Sequence, residues 1–226
     1  MPLKSWTTRE AFDAHYDISG EPEGHPGDRP EIRLHYHRKV MLPWFQKHIP
    51  DLIRVLDLQT SDRIVIVGCA FGWSIEALNE LGFNNVVGTD TSQYIQIAKL
   101  IPEDNELALI GGAEFVSKLS AREGEPRTLV ANKILDEAIS NNASRNRVRT
   151  AVGGTPQWTI SEGVLESLTN AEAQALSSNM RTLGGTVVHR ITYPTSLPGY
   201  NQNTPEQWKA LLTPDLIVRV PEWTVL

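Results

Sequence analysis

The sequence predicts a doubly wound α/β fold, in which a mostly parallel sheet carries helices on both faces and follows an N-terminal helical extension. Three observations support it. Short β-branched runs alternate with helical segments from residue 63 onward. A glycine turn closes the first of these runs. The 226 residues are 40% hydrophobic and 21% charged, as in ordinary globular domains. We therefore expect a helical extension over residues 1–60, packed on an α/β domain over residues 61–226.

The extension contains a loop and then helical sequence. Residues 19–30 are rich in glycine, proline and acidic side chains, which predicts a loop. Residues 31–49 have helical character that Pro43 interrupts, so a kink or two helices are expected there. A further short helix is predicted over residues 51–56.

The α/β domain begins with two strands and the helix between them. The run at residues 63–67 is typical of a strand that is buried on both faces. A helix is expected over residues 71–81, ending before Gly82, and a second strand over residues 86–90. The following segments are predicted as helices over 94–100 and 105–119, then a strand over 128–135, a helix over 144–152 and a strand over 157–160.

Clear start and stop signals mark the last third of the chain. Thr169 and Glu172 form a capping box before an alanine-rich helix, which Gly184 and Gly185 end. A strand follows over residues 186–192. Thr204, with Pro205 after it, is expected to cap a final helix before a last strand over residues 216–220.

Composition excludes several classes of protein. Cys69 is the single cysteine, so the chain has neither an intramolecular disulfide nor a Cys/His zinc cluster. The sequence has no apolar run of membrane-spanning length and no signal peptide, which predicts a cytoplasmic protein. A net charge of -6 gives no strong nucleic-acid signal. Arg145, Arg147 and Arg149 could form a local basic patch, although a solvated helix face is the favoured interpretation.

The segment from Arg63 to Asp90 carries the chemical signal. A strand leads into Gly68 and Gly72, where a helix then begins. Glycines at this position let the backbone approach a ligand, and a helix N-terminus offers N–H groups to it. Asp90 ends the next strand, where a carboxylate can accept the two ribose hydroxyls of a nucleoside. Together these residues predict a nucleoside-containing cofactor.

The glycine spacing favours one kind of nucleoside cofactor. A dinucleotide fingerprint starting at Gly68 would require glycine where Trp73 stands. The spacing of Gly68 and Gly72 instead resembles motif I of the class I S-adenosylmethionine-dependent methyltransferases, which have a Rossmann-like fold. The resemblance covers roughly residues 63–192. Similar, loosely matching sequences are known mainly as methyltransferase-like proteins of environmental phages.

This resemblance implies S-adenosylmethionine as the cofactor and assigns it a set of residues. The turn would contact the methionine part, Asp90 the ribose, its neighbours the adenosine, and a residue after the fourth strand the cofactor or substrate. The implied set is Gly68, Cys69, Ala70, Phe71, Gly72, Trp73, Asp90, Thr91, Ser92 and Glu162. Two residues depart from the family pattern: Ile66 replaces the usual motif I acid, and Ala70 replaces the middle glycine.

The resulting functional hypothesis is methyl transfer to an unidentified N, O or S acceptor, with a small molecule favoured as substrate. No catalytic residue is assigned. Cys69 lies inside the turn and is interpreted as a small packing residue, not a nucleophile. His35 and His37 lie two residues apart and do not share a helix face, so no metal site is assigned. His189 is interpreted as a satisfied core histidine, with general-base chemistry as the minority interpretation.

Alternatives from other functional classes stay open. The two glycines could be ordinary strand–helix turn residues, with Asp90 as a helix N-cap. The chain would then be a non-catalytic binding or structural protein, an interpretation that Ile66 favours. A nucleotide-dependent oxidoreductase is a third hypothesis, which Trp73 disfavours. A homo-oligomer is also an open alternative.

Overall fold

The computed structural model describes residues 42–70, 72–91, 133–136, 138–192 and 201–220. In these ranges the α-helices α1 to α5 cover Leu42–Leu56, Trp73–Glu80, Asn142–Val152, Asn170–Leu183 and Pro205–Leu211. The strands β1 to β6 cover Ile64–Val67, Val86–Asp90, Ile134–Asp136, Trp158–Glu162, Thr186–Thr192 and Leu216–Val220. Among the described helices, none has the length and apolar character needed to cross a membrane.

The six strands form one parallel sheet in the order β3-β2-β1-β4-β5-β6. This is the order of doubly wound nucleotide-binding sheets, in which the chain reverses its progress across the sheet between β1 and β4. The fold is Rossmann-like. The predicted fold class is therefore confirmed. Ligands of such sheets bind beyond the carboxyl ends of the strands at the reversal, which here means beside Val67 and Glu162.

Strand β1 lies in the centre and is buried on both faces. Ile64 and Ile66 pack into a cluster with α1 and α2, whereas Val65 and Val67 pack into a second cluster with α3 and α4. All four side chains have at most 7% of their surface exposed. A run of four β-branched residues suits this position because both sides of the strand must be apolar.

Helix α1 packs on the first of these faces as one continuous helix. The predicted separation of residues 31–49 from residues 51–56 is wrong at Pro50, which lies inside the helix. The apolar stripe of Phe45, Ile49, Leu52 and Leu56 continues across Pro50 and is buried. Pro50 itself is on the exposed side, so burial of the stripe offsets the lost backbone hydrogen bond. Residues 1–41, including His35 and His37, lie outside the described residues.

The predicted bounds are correct for β2, β5 and β6, whereas β1 starts at Ile64 and β4 runs from Trp158 to Glu162, so that Glu162 lies in the strand and not after it. The third strand was expected over residues 128–135; its described part covers Ile134–Asp136, and residues 128–132 lie outside the described residues. Just before it, the Lys133 ammonium donates to Asn84 O and Asn79 Oδ1, which ties this point of the chain to the α2–β2 connection. Only Ile134 to Asp136 then align with β2. The helices predicted over 94–100 and 105–119 lie outside the described residues.

The arginines of α3 form neither a basic patch nor a simple solvated face. Arg145 is buried and donates to Ile139 O, Asn142 Oδ1 and Asn179 Oδ1. Arg149 donates to Leu183 O and Thr182 O, the last carbonyl groups of α4. These bonds satisfy helix-end carbonyls that lack an intrahelical partner. Arg145 and Arg149 therefore join α3 to α4, and Arg147 is the exposed member of the three.

The capping box of α4 is present as predicted, and it generates a test of the fold. Thr169 Oγ1 accepts from Glu172 N, and Glu172 Oε2 accepts from Thr169 N. Thr169→Ala should lower the free energy of unfolding by about 1 kcal/mol because an N-terminal N–H loses its partner. Urea denaturation measures this. Ser178→Ala, at an exposed position of the same helix, is the control and should change stability little; an equal loss in both variants would refute the capping role.

Candidate functional site

Charged side chains lie in one row across the carboxyl edge of the sheet. The register aligns Ile66 with Gly88 and Ile160, so two residues later Gly68 stands between Asp90 and Glu162. Glu162 in turn aligns with Arg190 of β5. Residues in one row of a sheet point to the same face. Asp90, Glu162 and Arg190 therefore project on the face that α1 and α2 cover, and this row is the candidate site.

The turn from Gly68 to Gly72 has an unusual backbone conformation. Gly68, Ala70 and Gly72 have φ angles of 75°, 43° and 80°, all in the left-handed region. At Ala70 this conformation has a steric cost that glycine would not have. The turn folds back on itself and delivers the chain into α2, whose N-terminal residue is Trp73.

The N–H groups of this turn bond to the protein itself. Gly68 N and Cys69 N donate to Thr89 O, at 2.9 and 3.4 Å, and Gly72 N donates to Cys69 O at 2.8 Å. Ala70 N donates to Asp90 Oδ2 at 2.8 Å. A phosphate cradle would need such N–H groups to point at the ligand. The turn can therefore contact a ligand through its backbone surface and the adjacent Asp90 carboxylate, whereas these four N–H groups are bonded within the protein.

Packing within the protein explains two of the glycines. A Cβ at Gly68 would lie 2.1 Å from Val164 Cγ2, so the loop after β4 fits against the turn. A Cβ at Gly88 would lie 2.5 Å from both Cys69 Sγ and Ile75 Cδ1. Small residues here bring β1, β2 and β4 close together. The contact also brings the segment after Glu162 directly to the predicted binding turn.

The structure places the side chains of the predicted site residues in different environments. Cys69 and Trp73 are in the hydrophobic core, 6% and 3% exposed. Burial, reinforced by the charge of Asp90, raises the pKa of the Cys69 thiol well above its ordinary value, as expected for an inert packing residue. Asp90 and Thr91 are half-buried at the edge. Phe71 and Ser92 lie outside the described residues.

Glu162 forms a buried ion pair with Arg190. The Arg190 Nη1 donates to Glu162 Oε1, and the two side chains are 2% and 8% exposed respectively. Burial lowers the pKa of Arg190 to about 10, which leaves the guanidinium charged at neutral pH. The guanidinium carbon lies 5.8 Å from the ring centroid of Trp44 and 5.9 Å from that of Phe45, both in α1. Helix α1 thus faces this end of the row with its aromatic side chains.

A second polar cluster lies on the opposite face of the same strands. His189 Nδ1 is 2.8 Å from Ser161 Oγ, and His189 Nε2 is 3.1 Å from Asp215 Oδ2. Asp215 also accepts from Ser177 Oγ and, at 2.8 Å, from Arg181 Nη1. An ionised carboxylate only accepts, so His189 Nε2 donates to Asp215; in the neutral ring Nδ1 then accepts from the Ser161 hydroxyl. Both ring nitrogens of His189 are satisfied, as the sequence interpretation expected.

The Ser161–His189–Asp215 arrangement has the residue types of a hydrolytic triad but not its geometry. In that triad the serine bonds to Nε2 and the aspartate to Nδ1 of the histidine. Here the two nitrogens have exchanged partners, and Ser161 and His189 are 0% exposed. The Ser161 hydroxyl is bonded to His189 within this buried cluster. The cluster therefore holds β4, β5, α4 and the start of β6 together.

Sequence reasoning did not single out Arg190 or Asp215. The signal for Arg190 was present, because His189 and Arg190 are adjacent polar residues inside a strand with the buried pattern of a central position. Adjacent strand residues point to opposite faces, so each required a partner on its own side. The partners themselves, Glu162 and Asp215, lie 28 and 26 residues away in sequence and are brought close by the fold.

Comparisons with known proteins give distant structural likenesses. No family model matches the chain, and no curated protein matches it. Similar solved structures include magnesium protoporphyrin IX methyltransferase (ChlM) from Synechocystis PCC 6803 with bound SAM, at 17% identity and a TM-score of 0.42, covering 88% of this chain and 77% of that one. The same enzyme with bound SAH has 16% identity and a TM-score of 0.43, covering 89% and 82%. Neither likeness, at these values, assigns a ligand or a reaction to this chain.

The contact of Gly68 with Val164 generates a double-mutant test. Gly68→Ala should destabilise the protein through backbone strain of about 1–2 kcal/mol and a further overlap with Val164 Cγ2. Val164→Ala removes that methyl group, so the double variant should be less destabilised than the sum of the single variants by at least about 1 kcal/mol. Equilibrium unfolding measures all three.

Gly153→Ala is the matched control for this cycle. Gly153 has a φ of 82° but no atom within 4 Å of an added Cβ, so its substitution measures the strain alone. A Gly68→Ala variant no less stable than Gly153→Ala, with additive effects of Val164→Ala, would contradict the packing.

The Asp215 cluster generates a pH test. Burial by itself raises the pKa of Asp215, but the bonds from His189, Ser177 and Arg181 outweigh it and lower the pKa below the ordinary value of 3.8. A lowered carboxyl pKa stabilises the fold above the unfolded-state pKa, and that stability is lost as the pH falls below it through the folded-state pKa. Asp215→Asn leaves the buried partners of the carboxylate unpaired and should cost about 3 kcal/mol at neutral pH. Because the variant lacks the ionisable group, the acid limb of its stability curve should also be flatter.

Urea denaturation of the wild type and Asp215→Asn, from about pH 7 down to about pH 3, measures both effects. Asp57→Asn is the control, because Asp57 is exposed and away from the cluster. If the free energy of unfolding fell equally with decreasing pH in the wild type and in Asp215→Asn, Asp215 would not be the source of the acid sensitivity.

Proposed function

We propose that the chain binds S-adenosylmethionine at the carboxyl edge of β1 and β2 and transfers its methyl group to an N, O or S atom of a small molecule. The observation that carries the proposal is the position of Asp90. This carboxylate ends β2 in the same row as Gly68, next to the left-handed turn at the strand-order reversal. A carboxylate at this position is suited to the two hydroxyls of a ribose.

The turn favours a nucleoside ligand that has no phosphate. Its N–H groups at Gly68, Cys69, Ala70 and Gly72 bond within the protein. A dinucleotide would use such groups for its pyrophosphate, whereas S-adenosylmethionine has none. A carboxylate has lone pairs for several donors, so the bond from Ala70 N leaves Asp90 able to accept ribose hydroxyls as well. These residues fit the proposed cofactor.

Methyl transfer of this kind requires the protein mainly to position the cofactor and the acceptor. When bound, the cofactor supplies an electrophilic methyl group whose transfer releases a neutral thioether. The protein then has to hold the two reactants in line, which is a contribution of orientation. In this proposal Asp90 fixes the ribose and the turn fixes the orientation of the remainder. The ten residues implied by the sequence resemblance are proposed as the cofactor site, with Glu162 acting through its pair with Arg190.

Two observations support a second candidate, a non-catalytic binding protein. Ile66 stands where the family has an acid and is 0% exposed inside the first core cluster. Asp90 also has a structural role, because it accepts a hydrogen bond from Ala70 N and so stabilises the turn. Under this alternative the row serves folding, and S-adenosylmethionine does not bind.

Titration calorimetry with S-adenosylmethionine and S-adenosylhomocysteine distinguishes the two candidates. The wild type should bind both ligands. Asp90→Asn keeps an oxygen that can accept from Ala70 N but loses the second acceptor for the ribose, so its affinity should fall at least about tenfold with the fold intact. Asp90→Ala loses both contacts and should bind more weakly still.

Asp51→Asn, at an exposed position of α1, is the control and should bind like the wild type. Titrations with NAD and ATP test the dinucleotide and phosphate alternatives. A folded protein that binds neither S-adenosylmethionine nor S-adenosylhomocysteine would overturn the proposal, and binding that is unchanged in Asp90→Asn would remove the ribose contact from it.

A further inference from the structure

Arg190 has a hydrogen-bonding edge that the described residues do not use. Its Nη1 donates to Glu162 Oε1, but its Nε has no hydrogen-bond partner in the described part of the chain. A buried donor without a partner costs free energy, so such a group in a native protein calls for an explanation. Because Glu162 is bonded to Nη1, the edge of the guanidinium that carries Nε is left without a partner. The geometry of such an edge suits a planar anion.

The position of Arg190 in the row indicates which ligand would meet it. Asp90 and Glu162 are the last residues of β2 and β4, Gly68 follows β1 between them, and Arg190 is the residue of β5 that aligns with Glu162. Neighbouring strands are about 4.8 Å apart, so Arg190 is roughly 14 Å from the Asp90 end of the row. It lies across the strand-order reversal from the proposed ribose contact. This is the side on which the second reactant would lie.

The surroundings of Arg190 indicate the kind of molecule. The Trp44 and Phe45 rings lie within 6 Å of the guanidinium carbon and form an aromatic wall on the α1 side. The two rings meet edge to face, with centroids 5.2 Å apart. An aromatic wall beside a buried cation suits a flat ligand that ends in an anionic group.

From these observations we propose that Arg190 is a specificity residue that recognises a carboxylate on the methyl acceptor, and that the acceptor is a small aromatic or otherwise flat carboxylic acid. The identification of the bound acid as the methyl acceptor rests on the proposed function. The recognition of a carboxylate rests on the geometry around Arg190 alone. Arg190 binds and orients the acceptor, and no proton transfer is assigned to it.

Benzoate and its neutral isostere benzamide are suitable ligands for a direct binding test. Ligand-observed NMR titration of the full chain, with and without S-adenosylhomocysteine, gives both dissociation constants. The wild type should bind benzoate at least about tenfold more tightly than benzamide, because the charge-assisted bonds to Arg190 are available only to benzoate. Arg190→Gln should lose this preference, so that the two ligands bind alike.

Two further variants guard against misfolding of Arg190→Gln, which leaves Glu162 buried without its partner. The double variant E162Q/R190Q removes both charges and should also lose the preference. Glu162→Gln keeps Arg190 but removes the competing carboxylate, so it should strengthen benzoate binding. Arg147→Gln, at an exposed position of α3 on the other face of the sheet, is the control and should retain the wild-type preference.

The outcomes separate this inference from the proposed function. Equal binding of benzoate and benzamide by the wild type, or an intact preference in the double variant, overturns the inference. S-adenosylhomocysteine binding without a benzoate preference leaves the methyltransferase proposal standing and removes the anionic acceptor. A benzoate preference that depends on Arg190, in a protein that does not bind S-adenosylhomocysteine, establishes the carboxylate site and overturns the methyltransferase proposal.

Discussion

The arrangement of the candidate site depends on the pairing of β1 with both of its neighbours. This strand has four residues, is buried on both faces and bonds to β2 on one edge and β4 on the other. A shift of β1 by one residue would exchange its isoleucines and valines between the two core clusters and would move Gly68 out of line with Asp90 and Glu162. With β1 in place, Gly68 has to stand between Asp90 and Glu162. The order of the row is thus a consequence of core packing.

Strand β5 is also buried, but unlike β1 it carries two adjacent charged or polar side chains. His189 turns to one face and is held by Ser161 and Asp215, while Arg190 turns to the other and is held by Glu162. A buried ion pair is weak evidence of stabilisation, because apolar side chains of similar volume often serve as well. The two clusters differ in completeness. Both nitrogens of His189 are bonded, whereas Arg190 Nε is not bonded within the described residues.

Local signals allowed most of the described elements to be predicted from the sequence. The capping boxes at Thr169 and Thr204 and the turn at Gly184 and Gly185 mark boundaries by their own chemistry, so the neighbouring elements were placed correctly. The third strand was predicted to end one residue before Asp136, and its described part follows contacts of Lys133 with the α2–β2 connection that no local pattern contains. The separation expected between residues 31–49 and 51–56 failed because tertiary burial of the α1 stripe outweighs the local preference of Pro50.

The candidate site was predictable to a similar extent and for the same physical reason. Gly68, Gly72 and Asp90 are close in sequence and belong to one strand–turn–helix–strand unit, so their spacing indicated a common edge. The partnership of Glu162 with Arg190 joins strands that are separated by a whole helix, and only the sheet register brings it about. The aromatic wall comes from α1, which precedes the sheet in sequence and lies across the same row. The two ends of this polar row at the sheet edge thus have different physical origins. Short-range chemistry supplies the end at Asp90, and core packing on the α1 face supplies the end at Arg190, where the fold holds a cation against an apolar wall and leaves one of its donors for a ligand.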